Sequence, residues 1–283
     1  SGMFFAMSFR CKISDKRVIE RPVLLAPPAS THKYARGSAI VFSGPPLRTG
    51  ASRLSAQAAL TVGAGLVTIV GEYEALKEHA AQVTAIMLRE VDTDLAMIED
   101  RVRSTLLGPG AGISTRTKEA VLRLLQKGVP LVLDADALTS FESQPSELFD
   151  ALHDQVVLTP HEGEFARLFP VIDLADRFTA ARLAAELSGA VVLLKGAETI
   201  VAAPDGRLAV NTHASPWLAT AGSGDVLAGL VCGLLAQGSS AFEAACIAAW
   251  LHGDIGIRGG PGLTADAMPG LIPLVLAACL DKG

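Results

Sequence analysis

Residues 222–225 read Gly-Ser-Gly-Asp, and an apolar run follows at once. From Asp225 onward Val226, Leu227, Leu230, Val231, Leu234 and Leu235 form a helical stripe, and Gly238 is a suitable stop. Gly222, Ser223 and Gly224 therefore form a helix entrance. Its unbonded backbone amides and the positive end of the helix dipole suit a phosphate or a developing anion. A carboxylate beside such an end suits phosphoryl transfer. Asp225 would accept a proton from an attacking hydroxyl while the amides stabilise charge on the phosphoryl oxygens. The residues alone equally allow a structural role, with Ser223 as the helix cap and Asp225 as a first-turn partner of the dipole. No GxxxxGK[ST] phosphate loop occurs, and no GxGxxG follows the first strand-like run, which weakens a dinucleotide-dependent dehydrogenase.

Further chemistry-bearing residues fall just after short apolar runs. These are Ser43-Gly44-Pro45-Pro46-Leu47-Arg48-Thr49-Gly50-Ala51, Gly108-Pro109-Gly110-Ala111-Gly112, Asp134-Ala135-Asp136, Thr159-Pro160-His161-Glu162-Gly163-Glu164 and Lys195-Gly196-Ala197-Glu198-Thr199. Each has an ordinary reading as well. A glycine after a strand usually makes a turn, an acid there often caps a helix, and His161 could be a structural histidine. If the backbone stays extended, Asp134 and Asp136 share one strand face. The functional case rests on all of these loops meeting at one edge of one sheet.

The elements needed for that are legible. Strand-like runs at 39–42, 66–70, 85–88, 105–107, 130–133, 156–158 and 190–194 alternate with helix-period segments such as 51–62, 73–83, 115–127 and 176–188. Residues 199–203 and 207–211 flank Pro204-Asp205-Gly206 as a hairpin, and helices at 225–237, 241–257 and 265–280 follow with no strand between them. Such alternation predicts a three-layer α/β/α fold around a central, mostly parallel sheet, with ligands beyond the carboxyl ends of the strands. Residues 1–37 read as a loose leading region.

Half of the 283 residues are hydrophobic, 19% are charged and 5% are aromatic, which suits packed helices on a parallel sheet. A net charge of −5 with no basic face argues against a nucleic-acid partner. No uncharged apolar run is long enough for a membrane span. Cys11, Cys232, Cys246 and Cys279 form no CxxC pair and no metal-like spacing with histidine, which fits a reducing cytoplasm.

Seven segments, in order, carry a family resemblance: His32-Lys-Tyr-Ala-Arg-Gly37, Gly63-Ala-Gly-Leu-Val-Thr68, Gly108-Pro-Gly-Ala-Gly112, Asp134-Ala-Asp-Ala-Leu138, Leu158-Thr-Pro-His-Glu-Gly-Glu164, Leu194-Lys-Gly196 and Gly222-Ser-Gly-Asp-Val-Leu227. The chain resembles the ribokinase-like superfamily and, within it, the ADP/ATP-dependent NAD(P)H-hydrate dehydratases. The resemblance implies a domain over 32–283 with an N-terminal extension over 1–31. It also implies that ADP or ATP phosphorylates the ring hydroxyl of hydrated NADH or NADPH, after which phosphate leaves. Asp225 is then the proton acceptor, and Gly222, Ser223 and Gly224 form the anion hole. Lys195, Gly196, Ala197, Glu198, Thr199 and Gly224 contact the nucleotide, and Ala51, Gly112, His161 and Asp225 contact the hydrate. Asn211 and Glu164 help place Mg²⁺. A homotetramer, a cytoplasmic location and a functional link to an NAD(P)H-hydrate epimerase are implied in the same way. The residues before His32 are too few for the epimerase domain that many members carry. Glu162, Glu198 and Ala221 depart from residues common in the family. The nearest rival is a hydroxyethylthiazole or hydroxymethylpyrimidine kinase of the same superfamily.

Overall fold

A computed structural model describes residues 8–28, 31–92, 95–98 and 101–281. Apolar tripeptides and tetrapeptides such as Leu131-Val-Leu133, Val156-Val-Leu158 and Val191-Val-Leu-Leu194 have side chains alternating between two faces, so each strand must be covered on both sides. Nine strands do this in one sheet: β3 (Ser38–Phe42), β4 (Leu66–Gly71), β5 (Met87–Glu90), β6 (Val102–Leu107), β7 (Leu131–Leu133), β8 (Val156–Leu158), β9 (Val191–Leu194), β10 (Thr199–Ala202) and β11 (Leu208–Asn211). Their order is β11-β10-β9-β8-β7-β6-β3-β4-β5. From β5 to β9 all neighbours are parallel, whereas β10 runs antiparallel to both β9 and β11. The hairpin over Pro204-Asp205-Gly206 pairs Thr199 with Asn211.

Helices α1 (Gly50–Val62), α8 (Ser223–Ala236), α9 (Ala241–Gly259) and α10 (Met268–Cys279) cover one face. The other is covered by α3 (Thr115–Gln126), α4 (Asp136–Thr139), α5 (Pro145–Phe149), α6 (Glu162–Leu168) and α7 (Arg177–Ser188). Helix α2 (Tyr73–Ala80) contributes Leu76 to the first face. The three expected layers are thus present.

The departures are local. The fifth strand lies two residues later than its apolar run suggests, because Met87 pairs with Thr68 of β4. Ala265–Ala267 is a separate 3₁₀ turn ahead of α10. The leading region is not loose where it is described. Its strands β1 (Ser8–Arg10) and β2 (Val23–Leu25) pair antiparallel, Val18 bridges Val210, and Leu24 bridges Leu280. Ile19 and Leu24 are buried in the core. Two three-residue strands, tied to the far end of the chain only by isolated bridges, leave no periodic signal for sequence reading.

Candidate active site

The entrance of α8 is an open helix end. Gly222 sits there in the left-handed conformation (φ +90°), and no side chain caps the helix. A Cβ on Gly222 would come within 2.8 Å of both Ala265 Cβ and Leu54 Cδ1, so this position takes only glycine. Ser223 N donates to Thr220 O at 3.2 Å. Ser223 therefore begins the helix instead of capping it, while Asp225 lies in the first turn, as both readings of this entrance require. Its hydroxyl is buried, and His252 Nε2 lies 3.0 Å from both Ser223 Oγ and Ser223 O. A carbonyl only accepts, so Nε2 carries the hydrogen. Burial pushes the His252 pKa down to about 4, so the ring is neutral at pH 7. The Ser223 hydroxyl proton stays available to a ligand.

Asp225 follows in the first turn. Burial, and then the neighbouring Asp134 carboxylate, push its pKa up to about 7; Lys195 opposes the shift and Asp136 adds to it. A carboxylate poised there takes up a proton from a hydroxyl far more readily than one at the usual value. Ser55 Oγ of α1 donates to Asp225 O at 2.8 Å, fixing the backbone from the other side.

Lys195, at the end of β9, gathers the charges. Its Nζ lies 2.8 Å from Asp134 Oδ1 and 3.7 Å from Glu164 Oε2. Burial disfavours the ammonium, but the two carboxylates outweigh it and hold the Lys195 pKa above the ordinary value. A Cβ on Gly224 would sit 3.4 Å from this Nζ, so the ammonium stands against the helix entrance. Thr159 Oγ1 donates to Asp134 Oδ1 at 2.8 Å.

Asp134 and Asp136 do not share a strand face. β7 ends at Leu133, Ala135 turns at φ +48°, and Asp136 opens α4. Asp136 Oδ2 instead accepts from Gly112 N at 2.7 Å. One acid therefore serves Lys195 and the other serves the glycine loop.

His161 caps α6. Its Nδ1 accepts from Gly163 N at 3.0 Å and Glu164 N at 3.2 Å, and Glu164 Oε2 accepts from His161 N at 2.9 Å. The structural reading of His161 is thus realised, while its exposed ring still faces a cavity. Asn211 Nδ2 donates to His213 O and Ala249 O, and its buried Oδ1 has no partner.

A cavity of about 900 Å³ brings together His161, Lys195, Gly196, Ala197, Thr199, Asn211, Ser223 and Gly224. Asp225, Ala51, Gly112 and the Glu198 side chain do not line it. Gly112 lines a second cavity of about 340 Å³ with Ser43, Gly44 and Pro45. Ala51 lies by the same glycine loop: its Cβ is 3.6 Å from where a Cβ on Gly110 would stand. Asp225 belongs electrostatically to both groups, through Lys195 and Asp134 on one side and through Asp136, which holds Gly112, on the other.

Sequence reasoning missed two contributors. His252 lies in an apolar helix with nothing in the local pattern to mark it. Arg177 opens α7, and its guanidinium reaches the turn after β9. Only the tertiary pairing reveals either residue.

The family model described as NAD(P)H-hydrate dehydratase matches residues 39–267. The ADP-dependent (S)-NAD(P)H-hydrate dehydratase of Neisseria meningitidis is 38% identical over 253 residues, covering 86% of this chain and 84% of its own length. The bifunctional NAD(P)H-hydrate repair enzyme Nnr of Salinibacter ruber is 38% identical over 272 residues, covering 89% of this chain and 50% of its own. The chain thus spans about half the length of such bifunctional relatives. Among solved structures, the ADP/ATP-dependent NAD(P)H-hydrate dehydratase of Bacillus subtilis, co-crystallized with ATP/Mg²⁺, superposes with a TM-score of 0.77 at 26% identity, covering 89% of this chain and 92% of that one. The fold is ribokinase-like, as the sequence motifs imply.

Proposed function

The chain belongs to the NAD(P)H-hydrate dehydratase family, and from that premise we propose that it uses ADP or ATP to dehydrate NAD(P)H hydrate to NAD(P)H. The observation that carries the reading is the carboxylate of Asp225, held near pKa 7 beside an uncapped helix entrance and a buried ammonium. The ring hydroxyl oxygen attacks the terminal phosphorus of the nucleotide as Asp225 takes the hydroxyl proton. The bond from phosphorus to the bridging oxygen breaks, and the shortened nucleotide leaves. Charge on the transferring group meets the amides at Gly222 and Gly224, the Ser223 hydroxyl and the Lys195 ammonium; the Ser223 amide expected to join them is held by Thr220 O instead. The ring carbon then loses phosphate with its C–O electron pair. A proton leaves the neighbouring carbon, and the dihydronicotinamide is restored.

Lys195, Gly196, Ala197, Glu198, Thr199 and Gly224 take the nucleotide; all of them but Glu198 line the larger cavity. Ala51, Gly112 and His161 take the hydrate beside Asp225. Mg²⁺ usually enters on nucleotide phosphates and keeps several waters. Among the described residues no three His, Cys, Asp or Glu side chains form a metal cluster. The unpartnered Oδ1 of Asn211 fits such an ion. Glu164 fits less well, because its oxygens already serve the α6 cap and Lys195. When bound, the ion neutralises phosphate charge.

We propose a dehydratase domain over residues 32–283 with an extension over 1–31; the family match covers 39–267 of it. A homotetramer and a cytoplasmic location follow the resemblance alone. Among the described residues no helix is long and apolar enough to cross a membrane. An epimerase is the expected functional partner, a link that the bifunctional naming of the longer relatives supports.

The test is direct. NADH hydrate is incubated with the protein, Mg²⁺ and either ADP or ATP, and the absorbance of reduced nicotinamide is followed. Its return with one nucleotide is expected. No return with either, from protein that binds nucleotide, would transfer the assignment to a thiazole- or pyrimidine-alcohol kinase.

A further inference from the structure

The turn between β9 and β10 has an unusual interior. The carbonyl oxygens of Leu194, Lys195 and Glu198 all point towards one guanidinium, that of Arg177. Arg177 Nη1 donates to Glu198 O at 2.8 Å, and Nη2 donates to Lys195 O at 3.1 Å and more weakly to Leu194 O at 3.5 Å. On its other side Nε forms an ion pair with Glu162 Oε1 at 3.1 Å. The space is made by Gly196, since a Cβ there would come within 2.3 Å of Nη2. One side chain from α7 thus ties the turn to the first residue of α6, next to His161 and two residues before Glu164.

Three inward carbonyls repel one another unless a cation sits among them. A planar guanidinium with donors in a fixed fork can serve all three, whereas an ammonium cannot match that geometry. Arg177 does not line the larger cavity, but Lys195, Gly196, Ala197 and Thr199 of the turn it holds do. We propose that Arg177 is the positioning residue of the nucleotide site: it templates residues 194–198, and Glu162 holds Arg177 in register. This inference rests on the reading of that cavity as the nucleotide's.

The experiment measures ADP and ATP binding to the intact chain by calorimetry, together with steady-state kinetics and thermal unfolding. If the unaltered protein binds neither nucleotide, the functional reading fails, and this inference fails with it. If it binds, Arg177→Gln is expected to raise nucleotide Kd and KM about tenfold or more, as suits the loss of charge-assisted hydrogen bonds. KM for the hydrate and kcat at saturating nucleotide should stay within about twofold. Arg177→Lys should recover only part of the affinity, and Glu162→Gln should weaken binding less than Arg177→Gln. Nucleotide affinity unchanged in Arg177→Gln overturns the proposal while leaving the function intact. So does a uniform fall in kcat, both KM terms and unfolding temperature. If Arg177→Gln does not fold, unchanged nucleotide KM in both Arg177→Lys and Glu162→Gln overturns it equally.

Discussion

The two faces of the sheet are packed by different means. On the face of α3 to α7 the core is made of large side chains, including Phe141, Phe165, Phe169, Leu124 and Leu168. On the face of α1, α8, α9 and α10 Ala is the commonest core residue beside Val, Leu and Ile, and buried Ser55, Gly229 and Gly233 let backbones come close. A Cβ on Gly229 of α8 would lie 2.2 Å from Ser55 O of α1, and one on Gly233 would lie 2.6 Å from Ala59 O. Large interdigitating side chains can shift when one is trimmed, whereas two backbones in contact cannot. Asp225 rides on the second kind of packing. Its position is set by main chain against main chain, which suits a proton acceptor that must hold its geometry.

The strongest probe of this contrast is Asp225 itself. Asp225→Asn should reduce kcat about 10²- to 10⁴-fold, the usual worth of a positioned general base. Nucleotide binding measured by calorimetry should be largely retained.

The next probe pairs one variant from each face. Leu124→Ala should cost about 2–5 kcal/mol of stability by opening a cavity. Gly229→Ala should cost about 1–3 kcal/mol by overpacking. Both should lower the midpoint of a urea melt, but only Gly229→Ala should lower kcat at a temperature where each is folded. Equal loss of turnover in both would erase the distinction between the faces.

A smaller effect comes from pH. The Asp225 carboxyl holds its proton more tightly in the folded chain (pKa about 7) than at its ordinary value of 3.8. Its contribution to stability is full below about pH 4 and is lost as pH rises through about 7. Asp225→Asn lacks that loss, so it should be more stable than the unaltered chain at pH 8.5, by about 1–2 kcal/mol after allowing for solvent screening. The gap should close by about pH 4 in parallel urea melts. Over the same range, kcat/KM of the unaltered chain should rise through about pH 7 as Asp225 ionises.

The finest probe is Ser55→Ala, which removes the hydrogen bond to Asp225 O. A loss of about 1 kcal/mol in stability is expected. A several-fold fall in kcat should accompany it, since the bond lies directly behind the acid.

Much of this was written in the chain's local pattern. Strands β3 to β11, β5 apart, announce themselves as short apolar runs, and the alternation of the earlier ones with helical stretches dictates the parallel sheet. The Gly-Ser-Gly-Asp entrance and the loops after β3, β6, β7, β8 and β9 are legible because backbone requirements act over a few residues. Tertiary structure decided the rest. It parted Asp134 from Asp136 by a left-handed turn at Ala135, and it spent Glu164 on a helix cap. It brought Arg177 and His252 to segments distant in sequence, and it bridged Val18 and Leu24 to Val210 and Leu280 near the opposite end of the chain. The pKa of Asp225 is also of this kind, since it depends on burial and on charges carried by other loops. A residue's type and spacing determine what it can do nearby, whereas long-range partners, and the electrostatics they impose, exist only once the chain has closed on itself.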